Sequence, residues 1–393
     1  VTTETSDSAA TDEDADKPSV MLAAGGTGGH LFPAQALAEE LGRRGIAVDL
    51  MTDMRGDRYG TGFPARKIYQ VPAATIAGSN PIAAAKAVFT LAKGVRAAGK
   101  VLASVNPGAV IGFGGYPSFA PIVAASIKGI PTAIHEQNAV LGRANRLLAR
   151  RATAIATSFE SVDLLEGAAT AKARFTGNPV RDAVIRCAGT PYRPSLPGET
   201  FRLLVFGGSQ GARFFSEVVP PAIALLSPEH RHRLHVMQQC RPEDQEAVVT
   251  SYKAAGSLRI DGSGISADVA PFFKNLPELM TSAHLVIARS GASTVAELAV
   301  LGRPAILVPL PHALDNDQLA NATRMQEAGG AICLAQKDIT PEMLAEKIGR
   351  LMDTPEELAG GAEGAKAEGK PDAVVRLADL VVELMVRGPV AAD

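Results

Sequence analysis

Three times along this chain of 393 residues, an apolar strand runs into a glycine-rich turn and then into the start of a helix. Residues 20–24 lead into Gly25-Gly26-Thr27-Gly28-Gly29-His30, residues 110–111 into Gly112-Phe113-Gly114-Gly115-Tyr116, and residues 203–206 into Gly207-Gly208-Ser209-Gln210-Gly211. A strand-turn-helix step that recurs builds a parallel sheet covered by helices on both faces. The same step also selects a ligand. Glycines after a strand let backbone N–H groups converge on an anion, and the helix N-terminus that follows adds positive potential. Two turns lie in the first half and one opens the second, so two phosphorylated molecules are expected rather than one.

Strands are expected over residues 20–24, 47–52, 110–111, 131–135 and 153–156, with helices between them, and a second series over 201–206, 235–238, 285–288 and 305–308. The fold class is α/β, with two doubly wound domains, since a single core stops growing well below this length. Pro179, Pro191, Pro194 and Pro197 sustain neither a helix nor a central strand, which marks residues 179–199 as a linker. The expected division is an acidic tail over 1–17, a first domain over 18–178, the linker, and a second domain over 200–360. Residues 361–393 complete it, with a Gly- and Ala-rich flexible stretch near 360–370 and then a helix over 373–386 carrying Val374, Leu377, Leu380, Val381 and Leu384 on one face.

No apolar run approaches the roughly 20 residues needed to cross a bilayer. The first seventeen residues hold six acidic groups and one lysine, the pattern of a disordered tail rather than a signal peptide. Cys187, Cys240 and Cys333 are scattered, odd in number and without metal-ligand spacing, which points to a reducing, cytoplasmic setting. The net charge of -2 hides an asymmetry: the tail carries −5, residues 18–180 carry +8, and residues 181–393 carry −5. A basic first domain suits nucleic acid, an anionic membrane face or an anionic substrate. Aromatic stacking partners and Arg/Lys runs are sparse in it, so no nucleic-acid partner is expected.

The first turn does not fit the dinucleotide fingerprint, because Leu31 stands at its last glycine position, although Asp49 or Asp53 lies near where a ribose-binding acid of a dehydrogenase would fall. His30 directly follows the last glycine, where a helix begins. A helix N-terminus disfavours a protonated imidazole, so a neutral ring able to accept a proton is expected beside a phosphate site, the alternative being a polar residue that fills the first turn. His135-Glu136-Gln137-Asn138 closes an apolar strand at the end where ligands sit in open α/β sheets. In the second half, Arg289-Ser290-Gly291-Ala292-Ser293-Thr294-Val295-Ala296-Glu297 repeats the strand-to-helix design. Thr294 and Glu297 have capping-box spacing, so Glu297 either satisfies a helix start or accepts the two hydroxyls of a ribose. Asp315-Asn316-Asp317-Gln318 forms a polar loop suited to the same ligand.

These motifs, with Gly177-Asn178-Pro179-Val180-Arg181, occur in the order seen in the MurG family, and over residues 18 to 350 the chain resembles those bacterial UDP-N-acetylglucosamine:lipid I N-acetylglucosaminyltransferases of peptidoglycan synthesis. The resemblance implies a GT-B glycosyltransferase, two Rossmann-like domains facing each other across a cleft. It places the acceptor diphosphate on Gly26, Gly28, Gly114, Gly115 and Tyr116. The donor, UDP-GlcNAc, falls to Thr27, Gly28, Gly29, Asn138, Arg181, Ser209, Gln210, Phe273, Ala292, Ser293, Thr294, Glu297 and Gln318, with Phe273 at the uracil and Glu297 at the ribose. Met237-Gln238-Gln239-Cys240 and Asn316-Asp317-Gln318 depart from the family's His-Gln-x-Gly and Asn-His-Gln. His30 is the candidate base and Glu136 the reserve.

The implied partners are UDP-GlcNAc, lipid I and, through the first domain, the anionic cytoplasmic face of the cell membrane, where the protein would be peripheral. No metal and no cofactor are expected. Residues 81–102 combine Ile82, Val88, Phe89, Leu91, Val95 and Leu102 with Lys86, Lys93, Arg96 and Lys100, an amphipathic basic pattern that suits anionic lipid as well as an ordinary core-facing helix. A UDP-sugar epimerase on the same scaffold is the second reading, and a nicotinamide-binding dehydrogenase or a non-catalytic nucleotide-binding module the third.

Overall fold

The computed structural model describes residues 17–25, 28–53, 62–74, 81–208, 211–254 and 266–388. It divides into two compact units, one running to Arg181 and resuming at Asp372, the other spanning Asp182–Pro371. The first unit holds β1 (Ser19–Ala23), β2 (Ala47–Thr52), β3 (Lys67–Gln70), β4 (Ala109–Gly112), β5 (Thr132–Glu136), β6 (Ala154–Thr157) and β7 (Ala173–Phe175). They pair in parallel in the order β3-β2-β1-β4-β5-β6-β7.

Alternation along each strand sorts side chains to two helical layers. Val20 and Leu22 of β1, Ala109 and Ile111 of β4 and Ala133 of β5 pack with Leu31, Leu37 and Leu41 of α1 (Gly28–Arg43). Met21, Val110, Ile134 and Ile155 face the other way, toward Ala98 and Leu102 of α2 (Pro81–Val105) and Ala120 and Ile122 of α3 (Gly115–Ile127). The C-terminal helix Ala373–Arg387 lies on the first of these layers, where Leu377, Leu380, Val381 and Leu384 join the same cluster and Asp379 accepts from Arg44 at 2.7 Å.

The second unit holds β8 (Phe201–Phe206), β9 (Leu234–Gln239), β10 (Ser266–Ala270), β11 (Leu285–Ala288), β12 (Ala305–Leu307) and β13 (Ala331–Cys333), parallel in the order β10-β9-β8-β11-β12-β13. Phe201, Leu203 and Val205 of β8 meet Phe215, Val219 and Ile223 of the helix Arg213–Leu225 and Leu344, Ile348 and Leu351 of the helix Pro341–Asp353.

Two stretches differ from the sequence reading. Residues 182–199, expected as a linker, are fastened to the second unit: Arg303 donates to Thr190 O at 3.1 Å, Lys366 to Ala188 O at 3.0 Å, and Tyr192 OH to His284 O at 2.8 Å. The stretch near 360–370, expected to be flexible, belongs to the helix Pro355–Glu368. Two of its glycines serve close packing, for a Cβ on Gly364 would stand 2.4 Å from Ala328 O and one on Gly361 3.0 Å from Pro304 Cβ.

Candidate active site

Each sheet reverses its strand order once, between β1 and β4 in the first unit and between β8 and β11 in the second. At such a switch point the connections leave to opposite faces, and the crevice beyond the carboxyl ends of the strands is where ligands bind in open α/β sheets. Pairing Ala23 with Gly112 and Ala288 with Phe206 brings the glycine turns of the sequence to these two places. Gly26, Thr27, Ser209 and Gln210 lie outside the described residues.

In the first unit, the glycine turn after β4 meets the imidazole of His30, which heads α1. His30 sits in the first turn of α1, and Gly114 and Gly115 hold φ of 83° and 69°, the left-handed region that favours glycine. A Cβ on Gly114 would stand 3.3 Å from His30 Cε1, and one on Gly115 would stand 3.4 Å from His30 Nε2. The ring therefore packs close against both glycines, whose backbone conformation, more than the space, calls for glycine. Gly114 caps α3 with no side-chain hydrogen bond, so the start of the helix turns its positive end toward this turn. Tyr116 is half-buried on that first turn, Gly28 is buried and Gly29 exposed. Arg181 stacks its guanidinium 4.6 Å from the centre of the Phe32 ring, again on α1.

The end of β5 meets the same ring. His30 Nδ1 lies 3.2 Å from Gln137 Oε1, while Gln137 Nε2 lies 3.0 Å from Phe113 O, 3.1 Å from His135 O and 3.0 Å from His135 Nδ1. Carbonyl oxygens only accept, so the amide nitrogen must face Phe113 and the amide oxygen must face His30. His135 is fully buried and its Nε2 donates to Gly177 O at 3.1 Å, leaving Nδ1 to accept from Gln137. Burial pushes the His135 imidazole down to about 4, so it is neutral at physiological pH.

Glu136, the reserve base, is engaged otherwise. Its Oε1 accepts from Asn138 N at 3.0 Å and Asn138 Nδ2 at 3.2 Å, and its Oε2 accepts from Gly142 N and Asn145 Nδ2, both at 2.8 Å. The side chain is 2% exposed, and burial raises its carboxyl above the ordinary carboxylate value against the pull of those N–H groups. All four of its lone-pair directions are taken by the segment from Asn138 to Asn145, which runs from the loop into the helix Arg143–Leu148. Asp49, the acid weighed for a ribose, is likewise spent inside β2, where Arg66 Nη2 approaches its Oδ2 at 2.6 Å.

In the second unit, Gly207 and Gly208 leave β8 in a turn tight enough that a Cβ on Gly207 would stand 2.3 Å from Ala212 N. Gln239 binds this turn by accepting from Gly207 N at 3.2 Å and donating to Pro271 O at 3.2 Å, which ties it to the segment leading to half-buried Phe273. The helix Ala292–Leu301 starts at Gly291 with no side-chain cap, so Thr294 lies inside the helix and the capping-box reading of Glu297 does not apply. The N–H groups of Ala292, Ser293 and Thr294 head an uncapped helix start, Ser293 Oγ is buried without a hydrogen-bond partner, and Glu297 is buried.

The loop after β12 is held against that helix start. Ser290 Oγ donates to Gln318 O at 2.7 Å, Asn321 Nδ2 to Ser290 O at 3.1 Å, and Leu310 N to Gln318 Oε1 at 3.0 Å. Arg289 is a strut: it donates to Val308 O and Pro309 O, both at 3.1 Å, and lies over the rings of Phe214 and Phe215. Gln137, Gln239 and Asn321 were not among the expected site residues, although Gln137 lies in the polar run His135–Asn138 and Gln239 in the stretch Met237–Cys240.

Comparison with known proteins gives this geometry a family. Residues 20–157 match the glycosyltransferase family 28 N-terminal domain, and residues 202–377 match the glycosyltransferase family 28 C-terminal domain. The UDP-N-acetylglucosamine--N-acetylmuramyl-(pentapeptide) pyrophosphoryl-undecaprenol N-acetylglucosamine transferase of Rhizobium johnstonii is 51% identical over 374 residues, covering 95% of this chain and 97% of that protein. The crystal structure of Acinetobacter baumannii MurG superposes with a TM-score of 0.75 at 30% identity, over 93% of this chain and 99% of that one. A UDP-GlcNAc 2-epimerase from Neisseria meningitidis, bound to UDP-GlcNAc, reaches a TM-score of 0.61 at 14% identity over 95% of this chain and all 100% of its own, a likeness of fold alone. The two switch-point sites thus stand on a scaffold shared with epimerases, but half-identity along nearly the whole length places the chain in glycosyltransferase family 28, among the MurG enzymes.

Proposed function

We propose that the protein transfers N-acetylglucosamine from UDP-GlcNAc to the muramoyl 4-hydroxyl of lipid I, giving lipid II and UDP. The observation that carries the reading is the packing of Gly114 and Gly115 against the His30 ring at the head of α1. It sets a candidate base beside a helix N-terminus suited to the acceptor's diphosphate. The acceptor oxygen attacks the anomeric carbon as the bond to UDP breaks, with inversion from α to β, and His30 Nε2 takes the hydroxyl proton. Negative charge develops on the leaving diphosphate, which the uncapped N–H groups of Ala292, Ser293 and Thr294 in the second unit are suited to bind. A nucleotide oxygen would also satisfy Ser293 Oγ, whose burial without a partner costs free energy. Labelled GlcNAc is expected to pass from UDP-GlcNAc to a lipid I analogue. Acceptor-independent release of UDP would favour the epimerase instead.

We also assign contact with the anionic membrane face to the first unit. Among the described residues no helix is long and apolar enough to cross a membrane. On α2, Leu91 and Leu102 are buried in the core, while Val88 and Phe89 are exposed together with Lys86, Lys93, Arg96 and Lys100. Ile127, at the end of α3, is exposed as well, and the stem of Lys128 passes 3.7 Å from where a Cβ on Gly99 would stand. An apolar pair within a basic field suits the headgroup boundary. Replacing Lys86, Lys93 and Arg96 together by Glu is expected to weaken cosedimentation with anionic vesicles by about tenfold or more, at about 1 kcal/mol per basic residue near the surface. Unchanged cosedimentation would remove this assignment.

A further inference from the structure

We propose that Gln137 is a positioning residue for transfer: it accepts the Nδ1 proton of His30 and so holds the imidazole in the one neutral tautomer whose lone pair lies on Nε2, beside Gly115. This inference rests on the reading of His30 as the base. Four groups make a chain of fixed polarity. Gly177 O accepts from His135 Nε2, His135 Nδ1 accepts from Gln137 Nε2, and Gln137 Oε1 accepts from His30 Nδ1. The direction of each link follows from the carbonyls at Gly177 and Phe113, which have no proton to give. A flipped Gln137 amide would set its oxygen against Phe113 O and His135 O, and the loss of those buried hydrogen bonds opposes the flip.

His135 supports the chain as long as it stays neutral. Protonated at both nitrogens, it would present a donor to the Gln137 amide nitrogen; its burial, with its imidazole held down to about 4, keeps that form away. Gln137 itself is 2% exposed, so its influence passes through His30. In a general base, the wrong tautomer presents a proton where a lone pair is required.

The test uses the full chain with 15N-labelled histidine and long-range proton–nitrogen correlation spectra at neutral pH. The His30 signal is identified by its loss in His30→Gln. The wild-type ring is expected to carry its proton on Nδ1. In Gln137→Met the acceptor is gone, so the signal is expected to move toward the Nε2-protonated form. The value of kcat should then fall by about 10- to 100-fold, with the KM for UDP-GlcNAc within about twofold of wild type. Gln137→Glu, whose protonated carboxyl can donate to Phe113 O and accept from His30, is expected to restore both tautomer and turnover.

An Nε2-protonated His30 in the wild type would overturn the inference without recourse to any variant, even if His30→Ala abolishes transfer and the base reading stands. A tautomer that shifts in Gln137→Met while kcat stays unchanged would instead overturn the base reading, and the positioning role with it. A purely structural Gln137 would lower the unfolding temperature of Gln137→Met and leave the tautomer as it was, which also counts against the proposal.

Discussion

Replacing His30 by alanine is expected to lower kcat for transfer by about 10²- to 10⁴-fold, the range a positioned general base contributes. UDP affinity should stay within about twofold, because the His30 imidazole is not among the groups proposed to hold the nucleotide. Loss of the ring also opens space beside Gly114 and Gly115, whose positive φ values do not depend on it. A variant that merely loosened this turn would raise the KM for the acceptor more than it lowered kcat. Equal loss in kcat and kcat/KM is the signature of an interaction made in the transition state, and it is read from a titration of lipid I analogue at saturating UDP-GlcNAc. Near-normal turnover in His30→Ala would exclude the residue as base. A large rise in KM with kcat intact would reduce its role to acceptor binding.

The interior of each sheet is legible in the sequence, and its edges are not. Every strand with neighbours on both sides, from β2 to β6 and from β9 to β12 across each sheet, falls on an apolar run found by reading the chain alone. The four edge strands, β3, β7, β10 and β13, were missed. They are short and exposed or half-exposed along most of their length, with sequences such as Lys67-Ile68-Tyr69-Gln70 in β3 and Ser266-Ala267-Asp268-Val269-Ala270 in β10. A strand covered on one flank needs no continuous apolar run, so the signal that marks a buried parallel strand is absent from it.

The site divides along a similar line. Glycine turns and polar runs at strand ends announce themselves locally, which is why His30, Gly114, Gly115 and Asn138 stand out. What Gln137 does depends on register: Gly112 pairs with Ile134, and only that pairing brings Phe113 O to the amide of Gln137. Helix starts are ambiguous for the same reason. Thr294 and Glu297 have the spacing of a capping box, yet the turn after β11 begins the helix three residues earlier, at Gly291, and the spacing carries no cap.

Glu136→Gln separates a brace from a base. The wild-type carboxylate accepts four N–H groups, two on each oxygen, from Asn138, Gly142 and Asn145. Glutamine keeps the shape but turns one oxygen into an NH₂ group, so two buried N–H donors face another donor whichever way the amide lies. Leaving such groups unsatisfied costs about 1–3 kcal/mol each, so the first unit is expected to lose about 2–6 kcal/mol. That corresponds to a fall of roughly 5–15 °C in its unfolding temperature. Turnover is expected to fall as well, since the loosened loop carries Asn138 and adjoins the Gln137 amide that holds His30. If Glu136 acts as a brace, the residual activity keeps the wild-type pH profile and is partly recovered at lower assay temperature. If Glu136 were the base, the fold would be undisturbed, kcat would fall by orders of magnitude at every temperature, and the profile's acid limb would vanish. Thermal unfolding and a pH–rate profile on the same preparation decide between the two, and an unchanged unfolding temperature with turnover abolished would return Glu136 to the chemistry.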